Sequence, residues 1–99
     1  MDYILVKNIN TSRKKLNCRK CGPLITHYSN NLGYDKNTEY ECSNFKCLNF
    51  AMCARRVMTE TNKVQYVVPL CENCSRIYEY YRIDSNVKLV LASQSKCEF

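Results

Sequence analysis

Two close pairs of cysteines, Cys42 with Cys47 and Cys71 with Cys74, constrain this chain more than any other feature. Cysteines a few residues apart can bind one zinc ion from the same turn, and two such pairs complete a tetrahedral site. The stretch between the pairs has the composition of a β-hairpin, with arms at 48–58 and 64–68. The sequence therefore predicts a four-cysteine zinc site, site 1, on either side of a hairpin.

The chain is short and rich in cysteine, with eight cysteines in 99 residues. We expect one domain over 1–99, too small to be stable without metal ions or disulfides. No stretch resembles a signal peptide or a membrane span. We therefore expect an intracellular protein of the cytoplasm or nucleus that is not secreted and binds no membrane. Zinc is then favoured over disulfides, because intracellular thiols stay reduced.

A helix is predicted directly after the second cysteine pair, over 71–83, where Cys74, Ile77, Tyr78 and Tyr81 recur at helical spacing. Its N-terminus would favour the thiolates of that pair. Short strands are predicted at 3–9, 24–28 and 87–92. The expected fold class is a small α+β zinc-stabilised domain, treble-clef-like in its order of knuckle, β-hairpin and helix, plus a second zinc knuckle. Its parts are an N-terminal strand and knuckle (1–41), a treble-clef core (42–83) and a C-terminal strand and tail (84–99).

The second knuckle is C-R-K-C-G-P, which begins at Cys18 and has Cys21 as its second cysteine. His27 is the only histidine and follows this half-filled site, so we expect it to be a ligand. Cys97 would complete site 2 if strands 3–9 and 87–92 lay side by side and parallel. The alternative places Cys53 in the position of His27 or Cys97; otherwise Cys53 is a small buried residue of the hairpin. Two zinc ions are expected in all.

A resemblance to a known group extends over most of 18–75. The end of the hairpin reads V-P-L-C-E-N-C-S, which resembles the HNH, or ββα-metal, nuclease group, whose domains often contain a zinc-knuckle treble clef. The chain is also similar to small uncharacterised proteins with a C-x-x-C-G start, a C-x-N-x-A segment and a V-P-L-C-x-x-C end. The matching positions are Cys18, Cys21, Gly22, His27, Cys42, Cys47, Asn49, Ala51, Val57 and 69–74.

One departure from that pattern bears on catalysis. The resemblance implies A-H-V on the hairpin, with a catalytic histidine, but the chain reads A-R-R-V and has Arg56 at that position. An HNH nuclease uses the histidine to activate water beside a metal ion, and arginine cannot accept a proton near neutral pH. We therefore expect no enzymatic activity, and an HNH-type nuclease is a less favoured interpretation. A RING-type ubiquitin ligase is also less favoured, because five residues separate Cys47 from Cys53.

The formal net charge of +6 allows contact with nucleic acid. Basic residues gather near the knuckle of Cys18 and Cys21 and on the hairpin, and tyrosines are interleaved with them. The basic positions are Arg13, Lys14, Lys15, Arg19, Lys20, Arg55 and Arg56, and the tyrosines are Tyr28, Tyr34, Tyr40 and Tyr66. Together they predict a non-catalytic module that binds RNA or single-stranded DNA by phosphate contact and base stacking. The alternative for each group is an ordinary solvated surface.

A second function remains open, in which the zinc scaffold is an adaptor that presents a rigid surface to another protein. The apolar surface of the predicted helix over 71–83 is expected to pack on the hairpin, with a contact between two copies as the alternative. Asn, Lys and Tyr are abundant, as in proteins of AT-rich genomes, including many viral ones. A viral accessory or regulatory protein is expected on that ground.

Overall fold

The computed structural model describes residues 3–9, 17–18, 22–35, 37–61 and 64–92, with the backbone alone at 17–18 and 22. These residues form a small α+β domain, as predicted. The elements in chain order are β1 (Tyr3–Asn8), β2 (Asn17–Cys18), β3 (Gly22–Pro23), α1 (Leu24–Leu32), β4 (Cys53–Thr59), β5 (Gln65–Leu70), a 3-10 turn (Cys74–Arg76), β6 (Tyr81–Asp84) and β7 (Val90–Leu91). In this part of the chain, no helix has the length and apolar character needed to span a membrane.

An antiparallel sheet with the strand order β6-β1-β4-β5-β7 is the centre of the domain, and β2 pairs with β3 separately. The predicted hairpin is confirmed as β4 and β5, in a register that pairs Cys53 with Leu70. Its first arm begins at Cys53, later than predicted. The preceding residues instead bridge back to the first cysteine pair, through Glu41 and Phe50. The predicted N-terminal strand is confirmed as β1.

Each face of the sheet has its own core, because successive side chains of a strand point to opposite sides. Val67 and Val68 are both fully buried, one on each face. One core, the helix-side core, consists of Leu24, Tyr28, Ala54, Val67 and Val90. The other, the cysteine-side core, consists of Val6, Cys42, Val57, Val68, Leu70, Cys71, Cys74, Tyr81 and Ile83. Site 1 is therefore part of the hydrophobic core.

Helix α1 occupies the stretch where the sequence predicted a strand, so that prediction is wrong. Pro23 precedes the first helical residue, and Gly33 follows the last one with a left-handed φ of 74°. The Gly33 N–H donates to the Asn30 carbonyl at 3.2 Å, and the Tyr34 N–H donates to the Ser29 carbonyl at 2.9 Å. This pair of bonds is a Schellman motif, which ends a helix at a glycine. The helix then buries Leu24 and Tyr28 against the sheet.

The helix predicted over 71–83 is also wrong. The treble-clef arrangement, of which it was the third element, stays a prediction. A 3-10 turn of three residues follows the second cysteine pair, and β6 then pairs with β1. In β6, Tyr81 and Ile83 are buried while Arg82 is exposed, which is strand periodicity. The expected parallel contact of the terminal strands is absent as well, because β7 pairs with β5.

Truncation of a core residue tests the position of the cysteine-side core. Leu70 is fully buried, so Leu70→Ala should lower the free energy of unfolding by about 2–5 kcal/mol. Leu48 is 90% exposed, so Leu48→Ala should change it by less than about 0.5 kcal/mol. Denaturant unfolding of both variants, under reducing conditions with metal present, measures the difference. Equal effects would mean that Leu70 does not lie in the core.

Candidate metal centre

The register of the hairpin brings the two cysteine pairs together. Because Cys53 lies opposite Leu70, the chain before β4 and the chain after β5 leave the sheet at the same end. The Met52 N–H donates to the Leu70 carbonyl at 3.1 Å, and the Ser43 N–H donates to the Pro69 carbonyl at 3.0 Å. The knuckle of the first cysteine pair is thereby attached to the strand that leads into the second.

The four sulfur atoms of site 1 have the geometry of a tetrahedral metal site. Those of Cys42, Cys47, Cys71 and Cys74 all lie within 4.8 Å of one another. The Cys47 sulfur is 3.9 Å from both the Cys71 and the Cys74 sulfur. A tetrahedron of thiolates with Zn–S bonds of about 2.3 Å has edges of about 3.8 Å. None of the five cysteines whose side chains are described forms a disulfide. The cluster can therefore hold one metal ion.

Hydrogen-bond donors surround these sulfur atoms. The Asn44 side-chain amide donates to the Cys74 sulfur at 3.3 Å, and the Asn49 amide approaches the Cys71 sulfur at 3.8 Å. The Cys74 N–H donates to the Cys71 sulfur at 3.5 Å, as in a zinc knuckle. Such donors orient metal ligands and stabilise the charged thiolates. The asparagines lie within or next to the first knuckle, and their spacing alone did not identify them as donors.

Protonation of the cysteines differs within the cluster. Burial opposes ionisation of the Cys71 thiol, but hydrogen bonds, first from the Cys74 N–H and then from the Cys74 and Asn49 side chains, outweigh it and lower its pKa to about 7. Burial raises the pKa of Cys42 far above its usual range, and it also raises the pKa of Cys74. Without a metal, Cys42 and Cys74 are therefore protonated at neutral pH.

Asn8 connects the second cysteine pair to the sheet from the far end of the sequence. Its amide nitrogen donates to the Cys74 and Ile77 carbonyls, both at 3.1 Å. Its amide oxygen accepts a 2.6 Å hydrogen bond from the buried Tyr81 hydroxyl. One side chain thus satisfies three groups, two of which belong to the turn that contains a ligand. No local pattern could predict this contact, since Asn8 and Cys74 are 66 residues apart.

Site 2 lies mostly outside the described residues, which include neither Cys21, nor Cys97, nor the side chain of Cys18. His27 is fully buried in α1, and its Nε2 lies 3.0 Å from the Leu91 carbonyl. A metal-bound histidine often uses one ring nitrogen in this way and the other on the metal. His27 Nδ1 lies 3.5 Å from the Asn31 amide. The ligand set of site 2 stays a prediction.

Cys53 lies outside the four-sulfur cluster. It is partly buried in β4, and its thiol donates to the Leu70 carbonyl at 3.4 Å. It borders a groove together with Pro23 and Leu24, which follow the knuckle of Cys18 and Cys21 in the sequence. The alternative that assigns Cys53 to site 2 therefore also stays a prediction.

The predicted nucleic-acid residues do not form one described surface. Arg13, Lys14, Lys15, Arg19 and Lys20 lie outside the described residues. Arg55 and Arg56 are neighbours in β4, so their side chains point to opposite faces of the sheet. Arg55 borders a groove beside the 3-10 turn, whereas the Nη1 atom of Arg56 is buried and has no hydrogen-bond partner among the described residues.

The tyrosines best placed for stacking differ from those that the sequence indicated. Tyr28 is buried, and its ring packs edge-on against Tyr40 at 5.2 Å. Tyr28 also donates its hydroxyl to the Lys88 carbonyl at 2.8 Å. Tyr78 and Tyr80, in the stretch predicted as a helix, are 81% and 45% exposed. Burial thus removes Tyr28 from the accessible aromatic surface, and Tyr78 becomes the prominent exposed ring.

No protein-family model matches the chain, and neither a curated protein nor a solved structure gives a significant match. We therefore infer the function from the geometry of site 1 and of the surface around it.

Metal titration tests site 1. Titration with cobalt(II) should produce the absorption bands of tetrahedral thiolate coordination, and Cys74→Ser should remove one equivalent of bound metal, because it deletes one of the four sulfurs. Asn44→Ala should weaken metal binding by about 10–100-fold, since it deletes a donor to a ligand. Cys53→Ser is the control and should leave the site 1 bands unchanged. Loss of those bands in the control alone would refute this ligand set.

The pKa shifts predict a pH dependence of metal binding. Because the pKa values of Cys42 and Cys74 are raised, a metal ion must displace a proton from each of them at neutral pH. The apparent metal affinity should therefore fall as the pH is lowered. Calorimetry in buffers of different ionisation enthalpy measures the protons released. A pH-independent affinity with no proton release would contradict the prediction.

Proposed function

We propose that this protein is a non-catalytic, zinc-built module that binds single-stranded nucleic acid, RNA or DNA, in a groove beside site 1. Four thiolates at tetrahedral spacing favour zinc among the common divalent ions. The fold would be a treble-clef-like module in which the final helix is reduced to the 3-10 turn. The proposed second zinc ion, at site 2, would add a knuckle at the start of α1.

The groove, called the basic groove, has a volume of about 590 Å³ and lies between β1 and the 3-10 turn. Lys7, Arg55 and Arg76 border it, and Tyr78 stands at its rim. No carboxylate is among the described residues that line it. Arg76 already forms a 2.7 Å ion pair with Glu72, an exposed pair of small energetic value.

The environment of Arg55 is the observation on which the proposal depends. Its side chain is partly buried, and no carboxylate in the described parts of the chain forms an ion pair with it. A partly desolvated cation without a counter-charge is unfavourable unless a ligand supplies one. Phosphate suits a guanidinium because two of its oxygens can accept hydrogen bonds at once. The exposed Tyr78 ring beside it offers a surface for a base.

A different role for Arg55 must be separated from this one. Zinc with four thiolates has a net charge of −2. Burial, and then Cys42 and Cys74, raise the pKa of Tyr81, and Arg55 acts on the same hydroxyl in the opposite direction. Tyr81 thus lies near both the cluster and Arg55. The guanidinium could then neutralise the metal centre. In that case Arg55→Ala would lower metal affinity and leave nucleic-acid affinity unchanged.

Catalysis is not part of the proposal, since Arg56 occupies the position that the HNH resemblance assigns to a histidine. A metal-loaded sample that cleaved single-stranded or duplex DNA in the presence of Mg²⁺ would overturn this exclusion.

The second candidate, a protein-interaction adaptor, has one specific observation in its favour. Leu48 and Phe50, which closely follow Cys47 of site 1, are 90% and 66% exposed. Large apolar side chains exposed next to each other are typical of interaction surfaces. A salt titration separates the candidates, because contacts with phosphates weaken steeply with salt and apolar contacts do not.

Loss of the Arg55 guanidinium tests the proposed function. Arg55→Ala in the metal-loaded protein should weaken the binding of a fluorescent oligothymidine or oligouridine by about 10–100-fold, the value of hydrogen bonds to a charged group. It should also reduce the slope of log affinity against log salt by about 0.7. Fluorescence anisotropy over a range of salt concentrations measures both.

Lys88→Ala is the control for this experiment. It removes the same charge from a residue that lies outside the basic groove, near Tyr34. We expect an effect of less than about threefold, from net charge alone. Equal losses in the two variants would show that the nucleic acid responds to net charge and not to the groove.

A further inference from the structure

Arg55 lies at the boundary of two grooves. The second, called the apolar groove, has a volume of about 270 Å³ and is lined mainly by apolar side chains, including Leu24, Ile25 and Met52. Arg55 and Ser75 line both grooves. The two cavities are thus neighbours that share Arg55 as a lining residue.

The way β4 is paired explains why both grooves occur at this position. The pairing of β1 with β4 ends at Asn8 and Val57, and one more hydrogen bond extends it, from the Ile9 N–H to the Arg56 carbonyl. The part of β4 nearer to Cys53 therefore has no strand beside it on that side among the described residues. The grooves lie along this uncovered stretch, one toward the 3-10 turn and the other toward the start of α1.

The arrangement specifies the form of a ligand. An anionic group at Arg55 would have an aromatic ring, Tyr78, on one side and the exposed side chain of Met52 on the other. No carboxylate is among the described residues that border either groove. A ligand that fits has one negative charge between two flat, largely apolar groups, which describes the phosphodiester between two adjacent nucleotides.

We propose that Arg55 binds an internal phosphodiester of single-stranded nucleic acid, with the base on one side against Tyr78 and the base on the other side against Met52. This inference rests on the proposed function and adds the minimal ligand to it, a dinucleotide step. A mononucleotide would occupy one groove only and leave the other open to water.

Competition between two small ligands tests the proposal. Thymidylyl-thymidine and thymidine 5′-monophosphate are each used to displace a labelled oligothymidine from the metal-loaded protein. The dinucleotide has the smaller negative charge, so simple attraction to the cations would favour the mononucleotide. We expect the dinucleotide to compete roughly tenfold better, because a second base gains stacking contacts.

Two variants locate the bases. Tyr78→Ala and Met52→Ala should each weaken the binding of the dinucleotide several-fold, and only one of them should affect the mononucleotide. Leu91→Ala is the matched control, because Leu91 is an exposed apolar residue that lines neither groove. The dinucleotide affinity of this control should equal that of the unmodified protein.

The outcomes separate the two proposals. If Arg55→Ala weakens oligothymidine binding but the mononucleotide competes as well as the dinucleotide, the two-groove inference fails and the proposed function stands. The inference fails in the same way if Met52→Ala behaves like Leu91→Ala. If the metal-loaded protein binds no oligonucleotide, both proposals fail. Binding of a short peptide with one aspartate between apolar residues, without binding of the dinucleotide, would reassign both grooves to a protein partner.

Discussion

The pairing of Cys53 with Leu70 is the constraint on which the rest of the structure depends. It sets the end of the hairpin from which both cysteine-bearing segments leave the sheet, and so it sets the distance between the two halves of site 1. A slip of one residue would exchange the two faces of the strand that shifts, and would move Val57 of β4 or Leu70 of β5 out of the cysteine-side core. The four-cysteine cluster and the core therefore require the same register.

The two faces of the sheet are covered in different ways, and this difference explains the role of the cysteines. Helix α1 covers the helix-side core, where it buries Leu24 and Tyr28. No α-helix covers the other face among the described residues; Cys42, Cys71 and Cys74 pack there against Val6 and Ile83. In a chain of 99 residues, a bound metal ion would supply the cohesion that a second helix would otherwise provide. Asn8 joins this cysteine layer to the sheet through the backbone carbonyls of Cys74 and Ile77.

The errors in the predicted elements have a common physical origin. A strand was predicted at 24–28, directly after a knuckle, but Pro23 precedes and Gly33 follows a helix over 24–32. At 71–83, Ile77, Tyr78 and Tyr81 are spaced as on a helix face, but no helix forms there. Pairing of β6 with β1 makes the end of this stretch a strand instead. A short segment adopts the structure of its tertiary partners when its own preference is weak. The capping residues of α1 were the local signal that could have corrected the first error.

Site 1 and the hairpin could be recognised from the chain alone, because cysteine spacing and β-branched composition are local properties. The contact of Asn8 with Cys74, the division of Arg55 and Arg56 between two faces, and the burial of Tyr28 could not. Each of them depends on which strands become neighbours and in which register, and side chains far apart in sequence meet only when the sheet has formed. The sequence alone therefore determines the candidate metal ligands of site 1. The groove at Arg55 depends on the tertiary structure, because β1 ends before it reaches the Cys53 end of β4.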